Sequence, residues 1–457
     1  MTTGRGGRAP VVCGVDIGST NTKVIALDPR GVVLARRRRE TPRGAADASV
    51  DARQLLGVIE EMILEICADT YAVHAVSVAG VGEDGILVDA AMDPLTPALA
   101  WFDPRRADVY AALAEHLPSS DEICTADDAA RTLVGWRWAV DQPGTTDART
   151  WLALTDHPAS VWAGTPFLSD TLAARTAAWN GRTREWLHHR VTATLGSAAL
   201  LPRVRRTGDV VGHFVSGRLT AAGVIAPDAV VVAGGHDHPI GGWGVHTMDP
   251  GAVLDSMGTA EVVVAQAPAA GIGRRDDLDV APGICTPGTT VLSVEELARN
   301  VEWAGGDPAV GEHLRALIAG HTAPDEYLHH PVFVPGGRGG ASPRFTNDAP
   351  AAPLSRASAV LGALARLGES ALDAVGSCLP AHPPVYAAGG WSRSPGWVRA
   401  KQAVSGRGVT VIPEPQVTAT AAALLAARAI GWDAEPATAM GITTTDNHAQ
   451  PTPRAYV

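Results

Sequence analysis

The sequence feature that most constrains the fold is a strand–turn–strand pattern that occurs twice. In residues 11–28, two apolar strands flank a turn of small polar residues, with Asp16 before the turn and Lys23 after it. Residues 251–265 repeat the pattern loosely, with an aspartate on the first strand and a Gly-Thr turn. Two such β-hairpins predict two similar halves that face each other across a cleft, and 457 residues are enough for two domains.

The first turn is suited to bind phosphate. Its backbone N–H groups and side-chain hydroxyls can converge on an anion. The residues concerned are Gly18, Ser19, Thr20 and Asn21. With Asp16 and Lys23 on either side, the hairpin predicts a site for the phosphates of a nucleotide and their magnesium ion.

A second organising stretch is residues 231–242, where an apolar run ends in two glycines followed by His236, Asp237 and His238. This pattern predicts a buried strand and a tight turn, with Asp237 placed at the strand end where it can face a cleft. A carboxylate in that position can take a proton from an alcohol or hold a metal ion. The plainer alternative is an aspartate that caps the next helix.

An acidic pair, Glu83 and Asp84, lies between two apolar stretches where an ordinary loop would suffice. Such carboxylates can accept hydrogen bonds from the hydroxyl groups of a sugar or polyol. An exposed acidic turn is the alternative.

A further candidate for sugar binding is the segment Trp101-Phe102-Asp103-Pro104-Arg105. An aromatic ring can stack on a sugar face while the acid and the base bind its hydroxyl groups. Packing in the core is the alternative for the two aromatic residues, and we favour it more for Phe102 than for Trp101.

Several other elements follow from hydrophobic spacing. Helices are expected over residues 52–67, 293–303 and 310–318, and an alanine-rich helix over about 417–430 should pack tightly against the nucleotide domain. Residues 118–165 have a weak pattern, which predicts an inserted cap with short helices. Residues after about 436 are expected to form a loose tail.

Composition excludes several classes of protein. The formal net charge of -11 argues against general nucleic-acid binding, and no apolar run reaches membrane-spanning length. The five cysteines are scattered without a CxxC pair, which disfavours a disulfide framework or a zinc site. We therefore expect a cytoplasmic protein with no nucleic-acid partner and no membrane partner.

The combination of motifs resembles the FGGY family of carbohydrate kinases, within the actin, Hsp70 and hexokinase-like ATPase superfamily. Four elements carry the resemblance in chain order and span about residues 11–431. They are DIGSTNTK at 16–23, GGHDHPIGG at 234–242, GTA at 258–260, and AGGWSRS at 388–394 with Glu414 and the alanine-rich helix beyond it.

The resemblance implies an α/β fold of two ribonuclease H-like domains, an N-terminal domain over residues 1–242 and a C-terminal domain over 243–457, with ATP in the cleft between them. It implies that the chain uses ATP and Mg²⁺ to phosphorylate a hydroxyl group of a small sugar or polyol, such as a xylulose-like ketose. Asp237 would be the general base, and Asp16 and Asp237 would hold the metal ion.

The resemblance also implies which residues bind each substrate. Gly18, Ser19, Thr20, Asn21, Lys23, Gly258 and Thr259 would line the phosphates, and Gly389, Gly390 and Ser394 would border the adenosine. Glu83, Asp84, Trp101, Asp103, Arg105, His236 and Asp237 fall where relatives bind their sugar.

Some features depart from the family pattern. The cap is short, and Glu83-Asp84 replaces the Met-His or Arg-Glu pairs of xylulose and glycerol kinases, which leaves the sugar undetermined. An ATP-binding regulatory protein that has lost kinase activity is the alternative function. Many relatives form dimers, so a homodimer is an option, but no surface in the sequence indicates one.

Overall fold

The N-terminal half is built on one six-stranded sheet, and the computed structural model describes residues 7–45, 47–337 and 342–442. The strands are β1 (Ala9–Ile17), β2 (Asn21–Leu27), β3 (Val33–Glu40), β4 (Tyr71–Gly80), β5 (Val210–His213) and β6 (Ile225–His236). Their order in the sheet is β5–β6–β4–β1–β2–β3. Strands β1 to β3 form an antiparallel meander, whereas β4 runs parallel to β1 and β6 runs parallel to β4.

The C-terminal half contains a second six-stranded sheet. Its strands are β7 (Val253–Met257), β8 (Ala260–Ala267), β9 (Asp279–Pro282), β10 (Thr289–Glu296), β11 (Val385–Ala388) and β12 (Thr410–Val411). The order is β9–β10–β8–β7–β11–β12, in which β7, β8 and β10 are antiparallel and β7, β11 and β12 are parallel. The two sheets thus share an antiparallel meander followed by two parallel strands, which confirms the expected two similar α/β halves.

The helices lie around and between these sheets. They are α1 (Ala52–Cys67), α2 (Arg105–Ala114), α3 (Thr132–Val140), α4 (His157–Ala163), α5 (Asp170–Ala173), α6 (His188–Thr194), α7 (Gly217–Ala221), α8 (Asp237–Met248), α9 (Ala298–Gly305), α10 (Pro308–Ala319), α11 (Pro353–Gly376), α12 (Pro395–Ser405), α13 (Val417–Ala429) and α14 (Pro436–Met440). Within the described ranges, none of them combines the length and the apolar character that a membrane crossing requires.

Short strand pairs complete the structure. Gly85–Val88 pairs with Thr150–Ala153, Phe167–Ser169 with Arg203–Arg205, Trp179–Asn180 with Glu185–Trp186, and Phe333–Val334 with Arg344–Phe345. The first three pairs and α2 to α6 form a cap over residues 85–205, between β4 and β5 in the chain, which is longer than the 118–165 expected from the sequence. Single 3₁₀ turns occur at Ala174–Thr176, Ala198–Leu200, Glu326–His329 and Trp391–Arg393.

Helix α1 shows how local sequence determines an element here. Its apolar residues recur at helical spacing, and those on one face are fully buried against the first sheet. Asp51 caps the helix, because its carboxylate accepts hydrogen bonds from the backbone N–H groups of Arg53 and Gln54. The predicted range of 52–67 is confirmed.

Two helices cross from one half to the other. Helix α8 follows β6 of the first sheet but packs on the second sheet, where a Cβ atom on Gly242 would lie 2.9 Å from Val264 Cγ2. Helix α13 follows β12 of the second sheet but packs on β1 of the first. A Cβ atom on Gly14 would lie 2.0 Å from Ala419 O. Gly242 therefore lets the α8 backbone lie against the Val264 side chain, and Gly14 lets the backbone of α13 lie against β1.

Two sequence expectations are wrong in part. The helix expected over 293–303 begins only at Ala298, because residues up to Glu296 pair with β8 as part of β10. The tail expected to be loose from about 436 begins with α14, whose Met440 is fully buried. Residues 443–457 lie outside the described residues. The division at 242/243 remains a proposal, and it falls inside α8.

Replacing Gly14 with alanine should destabilise the protein by about 1–3 kcal/mol, because the new methyl group would overlap the backbone of α13. The matched control is Gly57→Ala in α1, where a Cβ atom meets nothing within 4 Å. There we expect a gain of about 0.5–1 kcal/mol from helix propensity. Thermal unfolding of the two variants measures both effects. An unchanged midpoint for Gly14→Ala would contradict the close packing of α13 on β1.

Candidate functional site

Strand register brings the candidate residues of the first half to one edge of its sheet. Ile17 at the end of β1 and His236 at the end of β6 are both aligned with Gly80 at the end of β4. Three segments therefore start at the same edge of the sheet. They are the turn after β1, the Gly82–Asp84 segment after β4, and Asp237 after β6. This edge is the one at which parallel strands commonly present ligand-binding residues.

The backbone carbonyl oxygens of the turn at residues 18–20 all accept hydrogen bonds from neighbouring groups, which stabilise the turn. The Thr41 hydroxyl donates to Gly18 O at 2.7 Å, and the guanidinium of Arg43 donates to Ser19 O at 2.7 Å. The Thr41 backbone N–H donates to Thr20 O at 2.9 Å. Within the described residues, the N–H groups of Ser19 and Thr20 have no acceptor, so they are free to bind an anion.

Asp16 and Lys23 face each other across this hairpin. The Lys23 ammonium donates to Asp16 Oδ2 at 2.7 Å, and the pKa of Lys23 is raised by the charge of Asp16, with a smaller contribution from Asp237. Lys23 therefore stays protonated and positive beside the turn. Asn21 is less available, because its Oδ1 accepts a hydrogen bond from Arg38 at 2.9 Å.

Asp237 is the first residue of α8, and its side chain is 19% exposed. Its Oδ1 accepts a hydrogen bond from the backbone N–H of His238 at 2.7 Å and lies 3.2 Å from Nε2 of His236. Burial raises the pKa of Asp237, and the neighbouring charge of Asp16 raises it further while His238 lowers it. Because Oδ1 takes both contacts, Oδ2 remains available for a ligand.

His236 is a buried, neutral imidazole. Burial lowers its pKa well below the ordinary value, and the positive charge of Arg175 lowers it further. Within the described part of the chain, its Nδ1 has no hydrogen-bond partner. If Nδ1 carried the proton, a buried N–H would have no acceptor, which costs more free energy than a buried lone pair without a donor. We therefore assign the proton to Nε2, which can donate it to Asp237.

The ligand atoms of His236, Asp237 and His238 lie within 4.8 Å of one another, close enough to share a metal ion. A metal-binding histidine ordinarily donates the N–H of its second ring nitrogen to an acceptor. The unpartnered Nδ1 of His236 does not fit that pattern among the described residues. The group is therefore better described as a carboxylate that two histidines orient.

Asp84 is a fully buried carboxylate, and neither of its oxygens has a hydrogen-bond partner within the described residues. The nearest cation is Arg106, whose Nη2 lies 3.9 Å from Oδ1. Burial raises the pKa of Asp84 to about 6, although the charges of Arg106 and Arg43 lower it. Such a group needs an external hydrogen-bond donor, which a ligand can supply.

Glu83 is also buried, but arginines already bind it. Arg175 donates to Glu83 Oε1 through Nε at 2.8 Å, and Arg131 Nη1 lies 3.3 Å from the same oxygen. Arg175 also donates to Asp279 of β9 at 2.9 Å, which links the cap to the second sheet. The alternative of an exposed acidic turn at Glu83-Asp84 is wrong, since both carboxylates are inside the protein.

The Trp101–Arg105 segment lies next to the first phosphate turn. Trp101 is partly exposed, and its indole N–H donates to the Ser19 hydroxyl at 2.8 Å. Asp103 and Arg105 bind each other through two hydrogen bonds of 2.9 and 2.8 Å, which lowers the pKa of Asp103. Core packing of Phe102 is wrong, because this ring is 46% exposed and lies under the guanidinium of Arg43.

The candidate residues of the second half also lie at one edge of its sheet. Gly258 and Thr259 form the turn between β7 and β8, and Thr259 O accepts a hydrogen bond from the Ala298 N–H at the start of α9. Gly389 follows β11 with a φ of 91°, and a Cβ atom there would lie 2.2 Å from Met257 O. Gly389, Gly390 and the turn at 258–259 therefore lie side by side, and Ser394 is the residue that precedes α12 as its N-cap.

Sequence reasoning missed the arginines that support the site. Arg106 is buried and donates to five backbone carbonyls, including Leu99 O and Glu83 O. Arg175 and Arg131 neutralise Glu83. No short motif marks these residues, because their partners are distant in the sequence. For Arg131 and Arg175 the available signal was an arginine among small and apolar residues.

Comparison with known proteins agrees with this geometry. Residues 11–244 match the sequence profile of the FGGY family of carbohydrate kinases, N-terminal domain. A xylulose kinase of Streptomyces coelicolor is 25% identical over 449 residues, which is 92% of this chain and 88% of that protein. An L-fuculokinase of Salmonella typhi is 25% identical over 68% of this chain and 70% of that protein.

A solved structure shares the fold. The xylulose kinase of Rhodospirillum rubrum superposes with a TM-score of 0.80 at 19% identity, covering 94% of this chain and 92% of that one. This likeness and the repeated sheet order confirm the expected two-domain, actin-like ATPase fold.

Replacing Asp84 with asparagine should stabilise the folded protein, and more so at higher pH. The folded-state pKa of about 6 lies above the ordinary 3.8, so ionisation of Asp84 costs stability as pH rises through this window. We expect the gain in unfolding free energy to be about 1 kcal/mol larger at pH 8 than at pH 5. Chemical denaturation at the two pH values measures it. The control is Asp147→Asn at an exposed position. A pH-independent gain would contradict a buried Asp84 whose pKa is raised.

Proposed function

The chain belongs to the FGGY family of carbohydrate kinases, and on that premise we propose that it transfers the γ-phosphoryl group of ATP to a hydroxyl group of a small sugar or polyol. The observation that carries this proposal is the common sheet edge at which the turn at 18–20, Asp84 and Asp237 emerge. Phosphoryl transfer depends mainly on alignment and charge neutralisation, so the shared edge is the relevant feature.

Asp237 is the proposed general base. Its raised pKa makes it a stronger proton acceptor, and Oδ2 remains free because His236 and the His238 backbone engage Oδ1. The substrate hydroxyl would donate its proton to Oδ2 as its oxygen attacks the γ-phosphorus. In this role His236 positions the carboxylate from within the protein, rather than binding the sugar.

Asp16 and Asp237 are the proposed holders of Mg²⁺. The charge of Asp16 raises the pKa of Asp237, so the two carboxylates are close enough to repel each other, and a divalent cation would relieve that repulsion. Two carboxylates also form the oxygen donor set that Mg²⁺ prefers. When bound, the ion would neutralise charge on the phosphate oxygens.

The remaining nucleotide contacts come from both halves. We propose that the turn at 18–20 and Lys23 bind the phosphates from one side, and Gly258 and Thr259 from the other. Gly389, Gly390 and Ser394 would border the adenosine, where the absence of side chains on the two glycines allows a ring to approach the backbone. Asn21 would contribute through its backbone, since its side-chain oxygen is bound to Arg38.

Asp84 and Trp101 are the proposed centre of the sugar site. Asp84 supplies a buried acceptor without a partner, and Trp101 supplies a partly exposed ring beside the phosphate turn. We propose an indirect role for Glu83, Asp103 and Arg105, which would support the sugar site without binding the sugar, because each is bound to another side chain. We propose a neutral acceptor such as a xylulose-like ketose, in keeping with the xylulose kinase and L-fuculokinase relatives.

An ADP-release assay against a panel of ketoses, polyols and sugar acids tests the function. We expect one neutral, hydroxyl-rich compound to stimulate ADP release well above the rate with ATP alone, while the corresponding sugar acids stimulate it less. Release without stimulation across the panel would favour the second candidate, an ATP-binding regulatory protein on the same fold. The retention of Asp16, Asp237 and both phosphate turns favours the kinase.

Asp237→Asn should lower kcat by about 10²–10⁴-fold, because the amide cannot accept the proton of the hydroxyl group. Nucleotide affinity, measured by calorimetry with an ATP analogue, should change little. The control is Asp209→Asn, a substitution in a turn between β5 and the cap that is not part of the proposed site. Turnover close to that of the control would remove Asp237 from the mechanism.

A further inference from the structure

A second cleft lies between the two halves, apart from the proposed kinase site. It has a volume of about 570 Å³. The cap lines one side, and residues 270–274, 280–283 and 286–289 of the second half line the other. The two walls touch where the Val280 N–H donates to Cys124 O at 2.7 Å. None of the described residues that line this cleft belongs to the proposed nucleotide or sugar site.

Four arginines and three acidic residues line the cleft. Arg182, Arg206 and Arg274 line it, and within the described residues none of their side chains has an ion pair or a side-chain hydrogen bond. The Nε atom of Arg274 is buried without a partner. Arg182 and Arg206 are exposed to solvent, and Arg274 is half-buried. Three guanidinium groups that have no acceptor among the described residues surround one cavity, and such groups are suited to bind phosphate oxygens.

The other charged groups of the cleft indicate which kind of phosphorylated ligand it can bind. Arg184 also lines it but already binds Asp170, with Nη1 and Oδ2 at 3.1 Å. Asp121 and Glu122 lie on the cap wall. These two acids would repel an extended polyanion but can accept hydrogen bonds from hydroxyl groups. We propose that this arginine cleft binds a small phosphorylated metabolite that also carries hydroxyl groups, such as a sugar phosphate.

The cleft is connected to the catalytic strand through Asp170. Asp170 Oδ1 accepts hydrogen bonds from the Thr207 N–H and hydroxyl, both at 3.1 Å. The Thr207 hydroxyl also lies 2.8 Å from Gly234 O, three residues before Asp237. A phosphate that draws Arg184 away from Asp170 would therefore disturb the contacts of β6. Because the ligand would also bridge the two halves, its binding would be coupled to their relative movement.

Calorimetry on the full chain tests this site, and its readout does not depend on kinase activity. The probes are a pentose 5-phosphate, the same pentose without phosphate, and inorganic phosphate, each titrated in the presence of a saturating ATP analogue. Binding that is lost in the cleft variants reports on the cleft and not on the kinase site. We expect the pentose phosphate to bind more tightly than either other probe. In Arg206→Ala/Arg274→Ala the affinity should fall by about 10-fold or more, which is the effect of losing a charged hydrogen bond.

The control variant is Arg149→Ala, which removes an exposed arginine outside the cleft and should bind like the wild type. Arg182→Ala is the second variant, so that the test stands if the double variant does not fold. Binding that is equal in the wild type and in the folded cleft variants, or no binding of the pentose phosphate, would overturn the proposal. Equal affinity for inorganic phosphate would overturn its sugar component.

Discussion

The structure depends on the close approach of two helices to the opposite half of the molecule. Helix α13 reaches β1 because Gly14 has no side chain and because its own contact residues, Ala419 and Ala423, are small. Helix α8 reaches the second sheet through Gly241 and Gly242 in the same way. Since α8 begins at Asp237, the position of the proposed base is determined by packing on both halves. A larger residue at either crossing would move the candidate site as well as the core.

Buried charge is the second organising factor. Glu83, Arg175, Arg131 and Asp279 form a connected network that joins the cap to β9. Buried ion pairs contribute little net stability but strongly disfavour arrangements that leave one partner alone. We infer that the network fixes the register between the cap and the second half. Asp84 lies outside this network. Its carboxylate is near Arg106 but accepts no hydrogen bond among the described residues, which is the feature expected of a group that binds a ligand.

The sequence predicted those parts of the fold that have a local cause. The hairpin at 11–28, the repeated pattern at 251–265 and helix α1 follow from periodicity and from turn residues. It did not predict the partners of Glu83 or the exposure of Phe102, because these depend on contacts between distant segments. It also misplaced the start of α9, where pairing with β8 extends a strand into a segment with helical spacing. The candidate residues could thus be named from the sequence, but not their charge partners.

A crystal structure with a non-hydrolysable ATP analogue and Mg²⁺ tests the central claim most directly. We predict that the triphosphate lies between the turn at 18–20 and the turn at 258–259, with the γ-phosphate facing Asp237 and the adenine beside Gly389 and Gly390. A nucleotide bound elsewhere, or one whose γ-phosphate is remote from Asp237, would contradict the proposal that the two halves share one site.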